Sequence, residues 1–152
     1  MQTVEYQVEL DALMPLFYEQ LSAGKTVRFS PRGISMLPML RQGKDSVVLS
    51  PLPERLKKYD LPLYRRDNGQ YVLHRIIEAD NTYTCIGDNQ FVSECGLRHE
   101  QMIALVTEFY RGDKKHSIEE WQYKLYCRFW HFSRPVRRFW RRGMGFVRRC
   151  LK

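Results

Sequence analysis

With 152 residues, 43% of them hydrophobic and 28% charged, the chain has the composition of one globular domain and not of a disordered segment. Its net charge of +8 lies entirely in residues 117–152, where ten lysines and arginines face two glutamates, because the charges of residues 1–116 cancel. No run of about 18 apolar residues occurs, which excludes a bilayer-spanning helix. No signal peptide is recognisable either, so we expect a cytoplasmic protein.

The four cysteines predict neither a metal site nor a disulfide framework. Cys85, Cys95, Cys127 and Cys150 include no Cys-x-x-Cys pair, and their spacing to the histidines is not that of a zinc ligand set. A Cys85–Cys95 disulfide remains open. We otherwise expect free thiols and no bound metal.

The first 116 residues predict one helix followed by short strands. The helix covers residues 7–22, where six apolar side chains fall on one face: Leu10, Leu13, Met14, Phe17, Tyr18 and Leu21. Strands are predicted at 26–30, 46–50, 61–66, 71–77, 83–86 and 102–110, with turn residues between them. This order indicates a mainly β fold built on a partly closed antiparallel sheet.

The C-terminal segment has a different character. We therefore divide the chain into an N-terminal helix at 1–25, a β domain at 26–116 and a basic helical tail at 117–152. The predicted tail helix begins at Ser133-Arg134-Pro135 and has Val136, Phe139 and Trp140 on one face, with arginines on the other.

An arginine-rich helix that also carries aromatic residues suits three roles. An anionic membrane surface fits best, which would place the protein peripherally at the inner face of the membrane. The residues for such binding are Arg137, Arg138, Trp140, Arg141 and Arg142. The same side chains also suit nucleic acid, and a third interpretation is that the aromatic residues fold back onto the sheet.

The segment Gly33-Ile34-Ser35-Met36-Leu37-Pro38 carries the candidate nucleophile. A serine in a glycine-containing turn can offer its hydroxyl to a carbonyl carbon and nearby backbone N–H groups to the oxyanion that forms. Ser35 is that serine, and Gly33 leaves an oxyanion hole made of backbone groups alone. Met36 and Pro38 are expected to line the adjacent groove.

A serine nucleophile needs a base, and His74 is the candidate. Its second ring nitrogen requires a partner, which Asp88 or Glu94 can provide. The sequence does not choose between these two acids. Arg75 is expected to be a structural ion-pair partner.

Three segments in order resemble boxes of the signal peptidase I and LexA-type serine peptidases. Gly33-x-Ser35-Met36-x-Pro38 resembles the nucleophile box, Leu73-His74-Arg75-Ile76-Ile77 the box of the general base, and Gly87-Asp88-Asn89 the box that follows. Histidine followed by arginine is similar to the endoplasmic-reticulum type of signal peptidase. The resemblance covers residues 26 to 108 and implies a coiled β fold of that type.

The resemblance also implies an activity: a serine endopeptidase that cleaves a peptide or protein substrate with no cofactor. In the histidine-type enzymes the orienting acid follows Gly-Asp-Asn, which implicates Glu94. The chain departs from the family at Gly43-Lys44-Asp45, where Gly-Asp is usual, and it lacks the membrane-spanning anchor and the repressors' DNA-binding domain. An inactive binding module, with the basic tail as its working part, is therefore the alternative.

Overall fold

A computed structural model describes the backbone of residues 2–150 and the side chains of residues 10–144. Helix α1 spans Gln2–Ser22 and helices α2 and α3 span Trp121–Phe132 and Arg134–Cys150. The strands between them are β1 (Val27–Phe29), β2 (Asp45–Pro51), β3 (Pro62–Arg65), β4 (Tyr71–Leu73), β5 (Arg75–Ala79), β6 (Tyr83–Ile86), β7 (Glu94–Leu97), β8 (Met102–Arg111) and β9 (Lys114–Ser117). The predicted antiparallel β fold with a helix at its start and helices at its end is confirmed.

The strands form two separate antiparallel sheets. The larger sheet has the order β1-β2-β8-β3-β4, with β9 on β8, and the smaller sheet has the order β5-β6-β7. Among the described residues β1 pairs only with β2 and β4 only with β3, so the larger sheet is open at both ends. The expected partial closure is wrong, because the chain leaves the larger sheet after β4 and begins a second one.

The crossing between the sheets occurs at His74. The strand predicted at 71–77 is split there: β4 ends with Leu73 paired to Leu63, and β5 begins with Arg75 paired to Ile86. The sequence pattern could not reveal this break, because the residues on both sides favour β structure equally.

Helix α1 packs on the sheet through only part of its predicted apolar face. Met14, Phe17 and Leu21 are buried in the main core, whereas Leu13 and Tyr18 are more than 40% exposed. The spacing i, i+3, i+7 of the buried residues is that of one helical face, and the exposed pair lies at its flanks.

Helix α2 lies within the predicted helical tail but before the helix start expected at Ser133, and it belongs to the same core. Its Tyr123 and Cys127 are buried among the core residues, so part of the aromatic tail does fold back onto the β domain. Cys85, Cys95 and Cys127 are free thiols, and the Cys85–Cys95 disulfide is therefore not formed.

The loop at Gly43-Lys44-Asp45 is held by a buried carboxylate. Asp45 accepts hydrogen bonds from the Arg41 amide at 2.8 Å, from the Arg41 guanidinium at 2.8 and 2.9 Å, and from the Gly112 amide at 3.0 Å. The hydrogen bond from the Arg41 side chain lowers the pKa of Asp45 to about 2. Asp45 thus connects the loop to Arg41 at its start and to Gly112 in the turn between β8 and β9.

The lowered pKa of Asp45 predicts that the folded protein loses stability in acid. The folded-state pKa of Asp45 is depressed, so its stabilisation is complete above the unfolded pKa of about 4 and is lost as the pH falls toward about 2. Asp45→Asn should lower the free energy of unfolding at neutral pH by about 1–3 kcal/mol and flatten its dependence on pH below 4. Urea denaturation between pH 2 and pH 7 measures both, and an unchanged acid dependence in the variant would contradict this assignment.

Candidate active site

The loop between β1 and β2 presents Ser35 at the surface of the domain. Met36, two positions after Ile34, is buried and anchors the loop in the core, whereas Ile34 is exposed and Ser35 is half-buried between them. Gly33 has φ +100°, a conformation that glycine adopts without steric cost. Its amide donates a hydrogen bond to Gln42 Oε1 at 3.1 Å.

The segment Gly87-Asp88-Asn89 packs directly on the backbone of that loop. The Asn89 amide donates to the Ser35 carbonyl at 2.8 Å, and Asn89 Nδ2 donates to the Ile34 carbonyl at 3.1 Å. A Cβ atom on Gly87 would lie 2.6 Å from the Ser35 carbonyl oxygen, so only glycine permits this approach. The third predicted box therefore includes the residues that hold Ser35 in place.

His74 lies at the crossing between the two sheets and is only 3% exposed. Its Nδ1 atom is 3.2 Å from Glu94 Oε1 and 3.3 Å from the Tyr64 hydroxyl. If Nδ1 carries the proton and donates it to Glu94, Nε2 is the ring atom left to accept one.

Glu94 is held in its charged form by three donors. Arg66 binds both of its carboxylate oxygens, with Nε 2.8 Å from Oε2, and the Tyr64 hydroxyl donates to Oε1 at 3.0 Å. Burial alone would raise the pKa of Glu94, but hydrogen bonds from Arg66, His74 and Tyr64 outweigh it and hold the pKa well below its usual range. A permanent carboxylate therefore faces the imidazole.

Asp88, the other candidate acid, does not contact His74 in the described structure. It forms a fully buried, bidentate ion pair with Arg75, in which both N–O distances are 2.8 Å. The geometry thus chooses between the acids that the sequence left open: Glu94 contacts the imidazole, and Asp88 pairs with Arg75. The prediction that Arg75 is an ion-pair partner is confirmed.

Helix α2 completes the surroundings of this ion pair. The Tyr126 hydroxyl donates to Asp88 Oδ2 at 2.8 Å, and Trp130 Nε1 donates to the Asp88 carbonyl at 2.7 Å. On the other side of the pair, Arg75 donates to the Tyr123 hydroxyl at 2.8 Å. A buried ion pair is stable only when its remaining donors and acceptors are satisfied, and α2 supplies those partners.

Ser35 and His74 line one groove of about 610 Å³. Gly33 and Met36 line it as predicted, but Pro38 does not. The hydrogen bond from the Leu37 amide to the Ile34 carbonyl turns the chain there, and Pro38 is exposed, with its own carbonyl accepting a bond from Arg111. The other lining residues include Leu10, Leu13, Ile34, Leu40, Val72 and Leu73.

Three features of this groove fit peptide chemistry. Most of its apolar lining comes from α1, the Ser35 loop and β4. The β4 strand, Tyr71–Leu73, pairs on one side only with β3 and lies along the groove. In the described part of the chain no hydrogen bond uses the Ser35 amide or hydroxyl. That amide is therefore available to an oxyanion.

The five tail residues proposed for binding fall into two groups. Arg137 and Arg141 turn toward the β domain, where they donate to the carbonyls of Asp88 and Asn89 at 3.2 and 3.4 Å. Arg138, Trp140 and Arg142 are exposed, and Arg141 also remains exposed despite its contact. The arginines are thus not all on a solvated face.

The residues that support the two acids were not among the predicted site residues. Tyr64 and Arg66 alternate along and just beyond β3, so their side chains share one face, and this period-2 pattern could have paired them with a common partner. In α2 the spacing of Tyr123, Tyr126, Cys127 and Trp130 is i, i+3, i+4, i+7, which indicates a buried helical face.

Comparison with protein-family models, with curated proteins and with solved structures found no match.

Asp88 and Glu94 have different contacts, so their substitution should have different effects. Asp88→Asn tests the structural role of Asp88. The substitution leaves the Arg75 guanidinium buried without a counter-charge, so we expect a loss of about 3–5 kcal/mol in the free energy of unfolding, measured in urea. Asp67→Asn is the matched control. Asp67 pairs with Arg98 at the surface, 3.2 Å away, so its removal should change stability by less than about 0.5 kcal/mol. Equal effects of the two substitutions would disprove the structural role.

Proposed function

We propose that this protein is a serine endopeptidase in which Ser35 is the nucleophile, His74 the general base and Glu94 the acid that orients His74. One observation carries the proposal: a buried imidazole, bound on one side to a permanent carboxylate, lines the same groove as a serine held in a turn. An imidazole and a carboxylate in contact beside a groove are the kind of ionisable pair that general-base catalysis uses. We propose in addition that the fold is of the signal peptidase and LexA type.

The proposed reaction follows from the positions of the protons. Ser35 Oγ attacks the peptide carbonyl carbon while its proton passes to His74 Nε2. The carbonyl oxygen becomes an oxyanion that the Ser35 amide can bind. Collapse of this intermediate breaks the C–N bond as His74 returns the proton to the leaving amine. Water, deprotonated by His74, then releases the acyl group and restores Ser35.

Glu94 sets the tautomer of the base. With a carboxylate 3.2 Å from Nδ1, the neutral ring is most stable when Nδ1 carries the hydrogen, which leaves the Nε2 lone pair for Ser35. The same carboxylate stabilises the imidazolium that forms in the reaction. Arg66 and Tyr64 hold the Glu94 carboxylate in place, so it does not need to move when positive charge develops on the His74 ring.

The substrate is proposed to be an extended peptide. The free edge of β4 lies along the groove, and an extended chain can add to such an edge through backbone hydrogen bonds. The apolar side chains of Leu13, Val72 and Leu73 would then contact alternate residues of the peptide. We propose the inner face of a membrane as the site of action.

One observation favours the alternative, a groove that binds peptides without cleaving them. Among the described residues no hydrogen bond joins Ser35 Oγ to His74, although both line the groove. Such bonds are often long in enzymes without substrate and shorten in the Michaelis complex, so turnover has to be measured.

Ser35→Ala and His74→Ala should each abolish cleavage of a proteome-derived peptide library, read by mass spectrometry. Because either change removes the proton transfer that makes the hydroxyl reactive, we expect a fall in rate of at least about 1,000-fold. The matched controls are Ser22→Ala, at the exposed end of α1, and His116→Ala, which lies outside the groove, and both should cleave normally. Undiminished cleavage by Ser35→Ala or His74→Ala would refute the mechanism, and peptide retention without cleavage by the unaltered chain would establish the alternative.

Glu94→Gln should lower kcat about 10²–10⁴-fold with little change in KM. The amide can donate a hydrogen bond to Nδ1, which moves the ring proton to Nε2 and leaves Ser35 without a base. Glu100→Gln, an exposed glutamate in the turn before β8, is the control and should retain full activity. The assignment fails if Glu94→Gln keeps the original kcat while remaining folded by circular dichroism.

A further inference from the structure

We propose that α2 and α3 bind an anionic lipid bilayer through their outward apolar faces. These faces, together called the outer tail surface, consist of Trp121, Leu125, Phe129 and Phe132 of α2 and Val136, Phe139, Trp140 and Met144 of α3. All eight side chains are more than half exposed. The proposal does not depend on the peptidase activity, because none of these eight residues lines the groove of Ser35 and His74.

One face of helix α2 packs on the β domain, and the opposite face is exposed. Tyr123 and Cys127 are buried, and Tyr126 and Trp130 bind Asp88, so this face is fully occupied by the β domain. On the other face four large apolar residues, spaced i, i+4, i+8 and i+11 from Trp121, are exposed to solvent. Contiguous apolar surface of this kind is rare on monomeric proteins and marks an interaction site.

Helix α3 places part of its cationic side against the β domain. Arg137 and Arg141 donate to backbone carbonyls of the β domain, and the Arg137 guanidinium lies 3.7 Å from the centre of the Trp130 ring. At 100° per residue Phe139 lies on the side opposite these contacts. Val136, Trp140 and Met144 lie nearer to them and border a cleft with Phe91 and Trp130, yet each is more than half exposed. The apolar side of α3 is therefore largely exposed, and one of its edges borders the β domain.

This orientation distinguishes a bilayer from nucleic acid. Nucleic-acid binding depends mainly on phosphate contacts by lysine and arginine, whereas this surface exposes eight large apolar side chains. Two of the tail arginines, Arg137 and Arg141, are instead bound to carbonyls of the protein. Tryptophan and phenylalanine suit the boundary between headgroups and acyl chains. The tail does not span the bilayer in this arrangement: none of the helices in the described residues has an apolar stretch long enough to cross it.

The positive charge of the tail favours anionic lipid as its partner and opposes binding to a second copy of the chain. Residues 117–152 carry all of the net charge of +8, and the exposed Arg138 and Arg142 flank the apolar face of α3. Headgroups of negative charge attract such arginines. Two copies that met through the outer tail surface would instead bring two segments of this charge together, which opposes association.

Flotation of the full-length chain with vesicles tests the proposal. Vesicles of phosphatidylcholine mixed with phosphatidylglycerol should carry the protein, and vesicles of phosphatidylcholine alone should carry much less. The double substitution Phe139→Ala/Trp140→Ala should weaken binding at least about tenfold, because it removes two side chains that enter the interface. Arg138→Gln/Arg142→Gln should reduce binding to the mixed vesicles toward the level of phosphatidylcholine alone.

The controls separate loss of binding from loss of structure. Leu16→Ala removes an exposed apolar residue from α1 and should leave flotation unchanged. Circular dichroism of each variant checks the fold, and since all the substituted side chains are exposed, we expect native spectra.

Three results would overturn the proposal. The first is equal flotation of the folded Phe139→Ala/Trp140→Ala variant and the unaltered chain. The second is failure of the unaltered chain to float with the mixed vesicles, whether or not it shifts a single-stranded oligonucleotide in a gel. The third is a lipid-free dimer in light scattering that the double substitution converts to a monomer, because a second copy would then cover the outer tail surface.

Discussion

The buried ion pair between Arg75 and Asp88 is the interaction on which the rest of the structure depends. Arg75 follows His74 directly, and Asp88 lies between Gly87 and Asn89, which contact the Ser35 carbonyl. The pair therefore joins the segment of the candidate base to the loop of the candidate nucleophile. Because an unpaired charge in the core costs several kcal/mol, the two segments cannot separate without a large loss of stability.

The candidate base occupies the junction of two sheets and two core clusters. Leu73 packs in the main core and Ile76 in the second cluster, and His74 is where the chain changes from one sheet to the other. A residue at a crossing is free of strand pairing, so its ring can contact Glu94 from the smaller sheet. The network of Arg66, Tyr64 and Glu94 then supplies the polar partners that a buried imidazole requires.

The tail is both part of the fold and the carrier of the proposed lipid contact. One face of α2 satisfies the ion pair through Tyr126 and Trp130, while the opposite face remains apolar and exposed. In α3 Arg137 and Arg141 bind carbonyls of the β domain, whereas Arg138 and Arg142 are exposed beside the apolar residues. An appendage that only bound a membrane would not need its aromatic hydroxyl and indole groups turned toward Asp88.

The sequence by itself indicated α1, the helical tail and most of the strands, because the 3.6- and 2-residue periods of apolar residues report on which face is buried. It did not predict β7 or β9, which are short. It identified Ser35, His74 and Glu94 as chemically suitable, and Arg75 as an ion-pair partner, from residue type and order. Only the tertiary structure decided which acid contacts His74, where the strand at 71–77 breaks, and that Pro38 lies outside the groove. These outcomes depend on contacts between residues far apart in the chain, such as Tyr126 with Asp88, and no local pattern encodes which distant partner a side chain will meet.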